Sequence, residues 1–164
     1  MNNEQRLFLV QAKSAYAVYR LLKANTSLHH CHALHYLQMA TELLGKANAW
    51  KRGPIGKSHK ALVIFLGSLS SNRKAQKRLG YEGQNENWTH TIRKITPIAE
   101  SLQKMAPALA DDGPNPEYPW PTDAPTATPV EYAFPIWEDL TEKPYGRHLI
   151  SFIHYLFDTA EEYM

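Results

Sequence analysis

The chain has one cysteine, Cys31, in 164 residues. That excludes an internal disulfide and a thiolate-rich zinc site. No apolar run approaches the roughly 20 residues that a membrane-spanning helix needs. The first residues, Met1 to Arg6, lack the basic start, apolar core and small-residue cleavage site of a secretory signal. A cytoplasmic location without membrane attachment is the expectation. There is no Walker loop and no GxGxxG, so ATP or dinucleotide binding of the usual kinds has no support. There is no HExxH either, and no cofactor or metal is expected.

Basic residues are also scarce in one part of the chain. From Met105 to Met164 there are eleven acidic residues and two basic ones, Lys143 and Arg147. The stretch from Lys46 to Lys104 has the opposite balance, twelve basic residues against Glu82, Glu86 and Glu100. The net charge of +2 therefore hides a segregation. Such asymmetry points to a face that binds a polyanion, or to two segments that neutralise each other. Apolar residues at 43% and charged residues at 21% are an ordinary globular balance. The length suits one domain, residues 1–164, with a real hydrophobic core.

Helical periodicity dominates. Phe8, Ala12, Ala15, Tyr16, Tyr19 and Leu22 recur at spacings of three and four, which predicts a helix from about Glu4 to Ala24. Asn25-Thr26-Ser27 breaks it, and Ala33, Leu34, Leu37, Ala40, Leu44 and Ala47 mark a second helix from about Leu28 to Ala49. So short a link favours an antiparallel hairpin. After a Gly/Pro loop at 51–57, Ser58 is a candidate cap for a third helix beginning at Ala61. A short basic helix from Asn72 to Leu79 closes at Gly80. Another runs from about Trp88 to Met105, kinked or restarted at Pro97. Seven of eleven prolines lie between Pro114 and Pro135, among Tyr118, Trp120, Tyr132 and Phe134. That many aromatics favours a segment folded back on the core rather than a linker. A last helix runs from about Tyr145 to Glu162. The expected fold is all-α, a bundle of five or six helices with a long proline-rich insertion before the last.

That last helix carries the most informative residues. Arg147 and His154 are seven positions apart, nearly two turns, so they project from one face roughly 10 Å apart along the axis, with Ser151 between them. An arginine is always charged, and a histidine titrates near neutrality. Together they suit phosphodiester cleavage; the plainer reading is a solvated arginine and a half-buried histidine. Arg52 and His59 have the same spacing, but Gly53, Pro54 and Gly56 between them prevent a shared helical face. His29, His30, Cys31, His32 and His35 invite a metal-dependent hydrolase as a weaker reading, although no second ligand cluster accompanies them. Arg73, Lys74, Lys77 and Arg78 form two basic pairs one turn apart, either a solvated face or a patch holding RNA by its phosphates.

The order of these features resembles the HEPN superfamily, the higher eukaryotes and prokaryotes nucleotide-binding domain. Three pieces carry the resemblance: the helix from His32 to Ala47 with its Gln38, Glu42 and Lys46; the segment Gly56-Lys57-Ser58-His59-Lys60-Ala61-Leu62; and Arg147, the polar His148 and His154. The last matches the family's arginine, polar residue, four to six residues, histidine pattern. Tyr155 follows the histidine at once and Leu156 holds the place where toxins paired with nucleotidyltransferases usually have tyrosine. The resemblance implies a HEPN-like four- to six-helix bundle that homodimerises, with the last helices of both copies facing one cleft. It further implies a metal-independent endoribonuclease of a toxin, antiphage-defence or RNA-processing system, with Arg147, His148 and His154 as catalytic residues, RNA as partner, and an antitoxin or nucleotidyltransferase as a further one. Other family members are non-catalytic modules that bind RNA, nucleotide or a partner protein.

Overall fold

Asn2 and Gln5 close a reciprocal cap on the first helix in the computed structural model, which describes residues 1–50, 60–122 and 127–162. The Asn2 side chain accepts from the Gln5 backbone N–H at 2.8 Å, and the Asn2 N–H donates to Gln5 Oε1 at 2.9 Å. Two otherwise orphaned helix donors are thereby satisfied. This helix, α1 (Asn3–Ala24), buries Leu9, Ala12, Ala15, Tyr16 and Tyr19. Helix α2 (His30–Ala49) meets it with Ala33, Leu34, Leu37, Ala40 and Leu44. Gln5 Nε2 donates to the carbonyl of Ala47 at 3.2 Å, so the start of α1 lies against the end of α2. The pair is the antiparallel hairpin expected from the short link. Truncating a fully buried leucine here, such as Leu34 or Leu37, costs about 2–5 kcal/mol.

Helix α3 (Ala61–Leu69) crosses α2 at a glycine. A Cβ on Gly45 would lie 2.4 Å from the carbonyl carbon of Ala61, so only glycine permits this approach. The proposed Ser58 cap, the Arg52 and His59 pair, and the start of the Gly56–Leu62 segment lie outside the described residues. Helix α4 (Arg73–Arg78) lies within the expected Asn72–Leu79 and stops before Gly80, as expected. The Asn72 side chain accepts from the Ala75 N–H at 3.0 Å. At the other end Gly80 takes φ +83°, while the Gly80 and Tyr81 N–H groups donate to the carbonyls of Lys77 and Gln76. That paired closure needs a left-handed residue, which is what glycine supplies.

Helix α5 (Asn85–Lys104) runs continuously through Pro97, which excludes the restart among the two expected alternatives, a kink or a restart. Pro97 removes the donor to the Arg93 carbonyl, and both residues lie on the exposed side of the helix. Trp88 on α5 is fully buried and its Nε1–H donates to the Ser70 carbonyl at 2.9 Å. Its ring stacks on Phe152 at 5.3 Å, joining α3, α5 and the last helix.

Two short helices escaped the periodicity argument, α6 (Pro107–Ala110) and α7 (Pro135–Thr141), each opened by proline at its first turn. At four and seven residues they are too short to show a face. The proline-rich segment does fold back. Trp120 and Phe134 are buried, Trp120 and Ala127 exchange backbone hydrogen bonds, and Tyr132 packs edge-on to both rings. Helix α8 (Pro144–Thr159) ends the bundle and passes into a 3-10 turn, Ala160–Glu162. The architecture is all-α, eight α-helices and no strand among the described residues, none long and apolar enough to cross a membrane.

Candidate functional site

Helix α8 turns one face inward and leaves the other open. Leu149, Phe152, Ile153, Leu156 and Phe157 are buried, while Arg147, His148, Ser151, His154 and Asp158 are exposed. The start of the helix is fixed by Gly146. A Cβ there would fall 1.7 Å from the Asp139 carbonyl oxygen, so α8 sits directly on α7. Arg147 is the next residue. Its guanidinium makes no ion pair or hydrogen bond among the described residues.

His154 is held on both sides. Its Nδ1 lies 3.4 Å from the Tyr16 hydroxyl on α1, and its Nε2 lies 3.5 Å from Asp158 Oδ2 one turn on. Burial pushes the Tyr16 hydroxyl up to about 12, with Asp158 raising it further and Arg20 opposing. It therefore stays protonated at neutral pH. The 3.5 Å approach of Asp158 is an electrostatic contact rather than a hydrogen bond, and the Tyr16–His154 contact runs in either direction with the imidazole tautomer. Tyr16 itself is locked by stacking on Phe157, ring centroids 4.1 Å apart and nearly parallel. A groove of about 390 Å³ opens beside the imidazole, lined by Tyr16, Tyr19, Arg20, Lys23, Ile150 and His154. Lys23 Nζ lies 5.9 Å from the centre of the Tyr19 ring, and burial raises the Tyr19 hydroxyl as well. Arg20 has no ion pair or hydrogen bond among the described residues.

Arg147, Ser151 and His154 thus share one open face, as the spacing predicts. His148 is elsewhere, 100° round the helix. It meets the edge of Tyr145 at 6.2 Å, on the side of α8 that faces α5. Nothing in its surroundings brings it to His154.

The basic run on α4 is exposed but largely matched. Lys74 and Arg78 converge on Glu162 at 3.1 and 2.6 Å, and Lys77 meets Glu82 at 2.8 Å. These contacts pull the Glu162 carboxyl below its ordinary range and lift the Lys77 ammonium above its own. Arg73 has no ion pair or hydrogen bond among the described residues.

The histidines around the start of α2 are divided among different neighbours. His30 stacks on Trp137, with ring centroids 4.1 Å apart. His32 is exposed, and Cys31 is buried with its thiol pushed up by desolvation. His35 Nδ1 lies 3.3 Å from Glu117 Oε1, close enough for an ion pair yet outside hydrogen-bond geometry. We take this as a weak electrostatic contact, because distance alone does not align the donor. No group of three His, Cys, Asp or Glu among the described residues is arranged to hold a metal ion.

Sequence reasoning passed over Asp158, Arg20 and Lys23. Asp158 was detectable, four residues after His154 on the same face. Arg20 and Lys23 follow Tyr16 at helical spacing, but nothing local says that α8 packs beside them. The fold and this face together define a helical bundle with an exposed Arg–His helix. No protein-family model, curated protein or solved structure matches the chain.

Proposed function

We propose that this chain is a HEPN-type endoribonuclease that cleaves RNA without a metal ion. One observation carries the reading: Arg147, Ser151 and His154 lie on one open face of α8, with His154 between Tyr16 and Asp158 and beside a groove lined by Arg20 and Lys23. Arg147, without an ion pair among the described residues, can give two hydrogen bonds to phosphate oxygens and stabilise the charge that grows on the phosphorane. His154 can take the proton of a ribose 2′-hydroxyl, once its Nε2 or Nδ1 exchanges its present partner for substrate. The 2′-oxygen then bonds to phosphorus and the bond to the 5′-oxygen breaks. The leaving oxygen needs a proton in turn. In a homodimer the His154 of a second copy would supply it, leaving a 2′,3′-cyclic phosphate and a 5′-hydroxyl. A toxin or antiphage role, with an antitoxin or nucleotidyltransferase as partner, belongs to the same proposal.

The test is incubation of the purified protein with mixed RNA in EDTA, beside Arg147→Ala and His154→Ala. Cleavage with cyclic phosphate ends in the wild type alone is expected, and fully 2′-deoxy substrate should resist. Mass measured across dilution should show a dimer, with cleavage falling as it dissociates. Equal cleavage by His154→Ala would overturn the assignment. Binding without cleavage would leave a non-catalytic RNA module.

A further inference from the structure

We infer that a second surface, formed where α5 meets the start of α8, binds single-stranded nucleic acid through His90, Arg93, Lys94, Tyr145 and His148. All five side chains are exposed. They form a connected array rather than a scatter. Arg93 Nη2 lies 3.4 Å from His90 Nδ1, and His90 Nε2 lies 3.3 Å from the Tyr145 hydroxyl. A guanidinium can only donate, so His90 Nδ1 is the acceptor and its proton resides on Nε2. That proton points at the Tyr145 oxygen, which leaves the phenol hydrogen free to donate outward. Lys94 Nζ stands 5.9 Å from the centre of the Tyr145 ring, and the His148 ring meets its edge at 6.2 Å.

The composition of this array identifies its ligand. Two permanent cations and a phenol donor suit phosphate oxygens, and neither Arg93 nor Lys94 has a carboxylate partner among the described residues. The two acids of α5, Glu86 one turn before His90 and Glu100 six residues after Lys94, form no ion pair among the described residues. Tyr145 and the two imidazoles offer flat faces on which bases can stack. Stacking requires bases turned out of a helix, which selects a single strand over a duplex. The array also adjoins the proposed cleavage face, because Arg147 and His148 are neighbours on α8 and Arg147 lies between the His148 and His154 directions. That the strand is RNA on its way to His154 rests on the ribonuclease reading; the binding itself does not.

The experiment separates the two. The probe is a short fluorescent single-stranded oligonucleotide in 2′-deoxy form, which cannot be cleaved through a 2′-hydroxyl, titrated against wild type, Arg93→Glu/Lys94→Glu and Tyr145→Leu. Circular dichroism checks that each variant is folded. The double reversal should weaken binding about tenfold or more, and lower the salt slope by about 1.4, since each single-strand phosphate contact contributes about 0.7. Tyr145→Leu should weaken binding about fivefold or more, the lower range for one lost stacking contact, without changing the slope. A duplex of the same sequence should compete poorly. Binding by the double reversal within twofold of wild type would overturn the proposal, as would a duplex competing as well as the single strand. If RNA cleavage persists in His154→Ala while the patch variants lose oligonucleotide, the nuclease assignment fails and this surface stands. If cleavage requires His154 and the patch variants bind normally, the surface fails alone.

Discussion

Four of the six residues of α4 are cations, and three of those four already face Glu82 or Glu162. Around α8 the cations are sparse in sequence and come from three helices: Arg20 and Lys23 on α1, Arg93 and Lys94 on α5, and Arg147 on α8 itself. None of these five has a carboxylate ion pair among the described residues. The α4 row therefore presents less net field than its composition suggests, and the α8 surroundings present more. Charge density along a chain is a poor guide to charge density in space, because an ion-paired cation is matched before any phosphate arrives. Only folding shows which cations are matched.

The sharpest way to break this comparison is at its centre. Removing Arg147 or His154 should lower RNA cleavage by about 100-fold or more, the usual loss when a transition-state donor is deleted. Rates within tenfold of wild type for both variants would leave the α8 side with no special standing over α4.

The seat of α8 comes next. Gly146→Val puts side-chain atoms into the Asp139 backbone, where even a Cβ would lie 1.7 Å from the carbonyl oxygen. Overpacking of this kind costs about 1–3 kcal/mol. A lower thermal midpoint, together with weakened cleavage through displaced Arg147, is expected in melting and activity assays. An unchanged midpoint would mean that α8 does not depend on that close approach.

Tyr16→Phe keeps the stack on Phe157 and deletes the hydroxyl that faces His154. One hydrogen bond of about 1 kcal/mol predicts a loss of roughly five- to tenfold in kcat, with little change in KM. The same variant carries a pH signature. Tyr16 is raised from 10.0 to about 12 on folding, so the folded state keeps a proton that the unfolded chain loses. Its contribution is complete below pH 10 and disappears as pH rises toward about 12. Denaturant midpoints should fall over that window less steeply in Tyr16→Phe than in wild type.

The smallest expected effect belongs to α4. Reversing Lys74, Lys77 and Arg78 together should reduce the salt dependence of RNA binding by less than the α5 pair does, even though three charges change instead of two. A larger drop from α4 would invert the comparison and return the main phosphate contact to the row that composition first suggests.

Much of this was legible in residue order. The apolar spacing of α1 and α2, the Asn72 cap and the Gly80 stop are local patterns, because helix faces and caps depend on neighbours within a few positions. The shared face of Arg147, Ser151 and His154 was legible for the same reason. Pro97 left two alternatives open, a kink or a restart, and the continuous helix removes the restart. Helices α6 and α7 were hidden by their length. The histidines near the start of α2 were a cluster in sequence only; Trp137 takes one and Glu117 another, and neither neighbour is near them along the chain.

By itself the sequence determined the helical class, the long elements with their inner faces, and the Arg–His row on the last helix, all set by periods of three and four residues. The tertiary structure decided what that row faces. Tyr16 beside His154, His90 beside Tyr145, and Glu162 against Lys74 and Arg78 are separated by 138, 55, 88 and 84 positions respectively. Such contacts are set by which buried faces pack together. That choice depends on shape and volume summed over the whole core, which no local pattern contains.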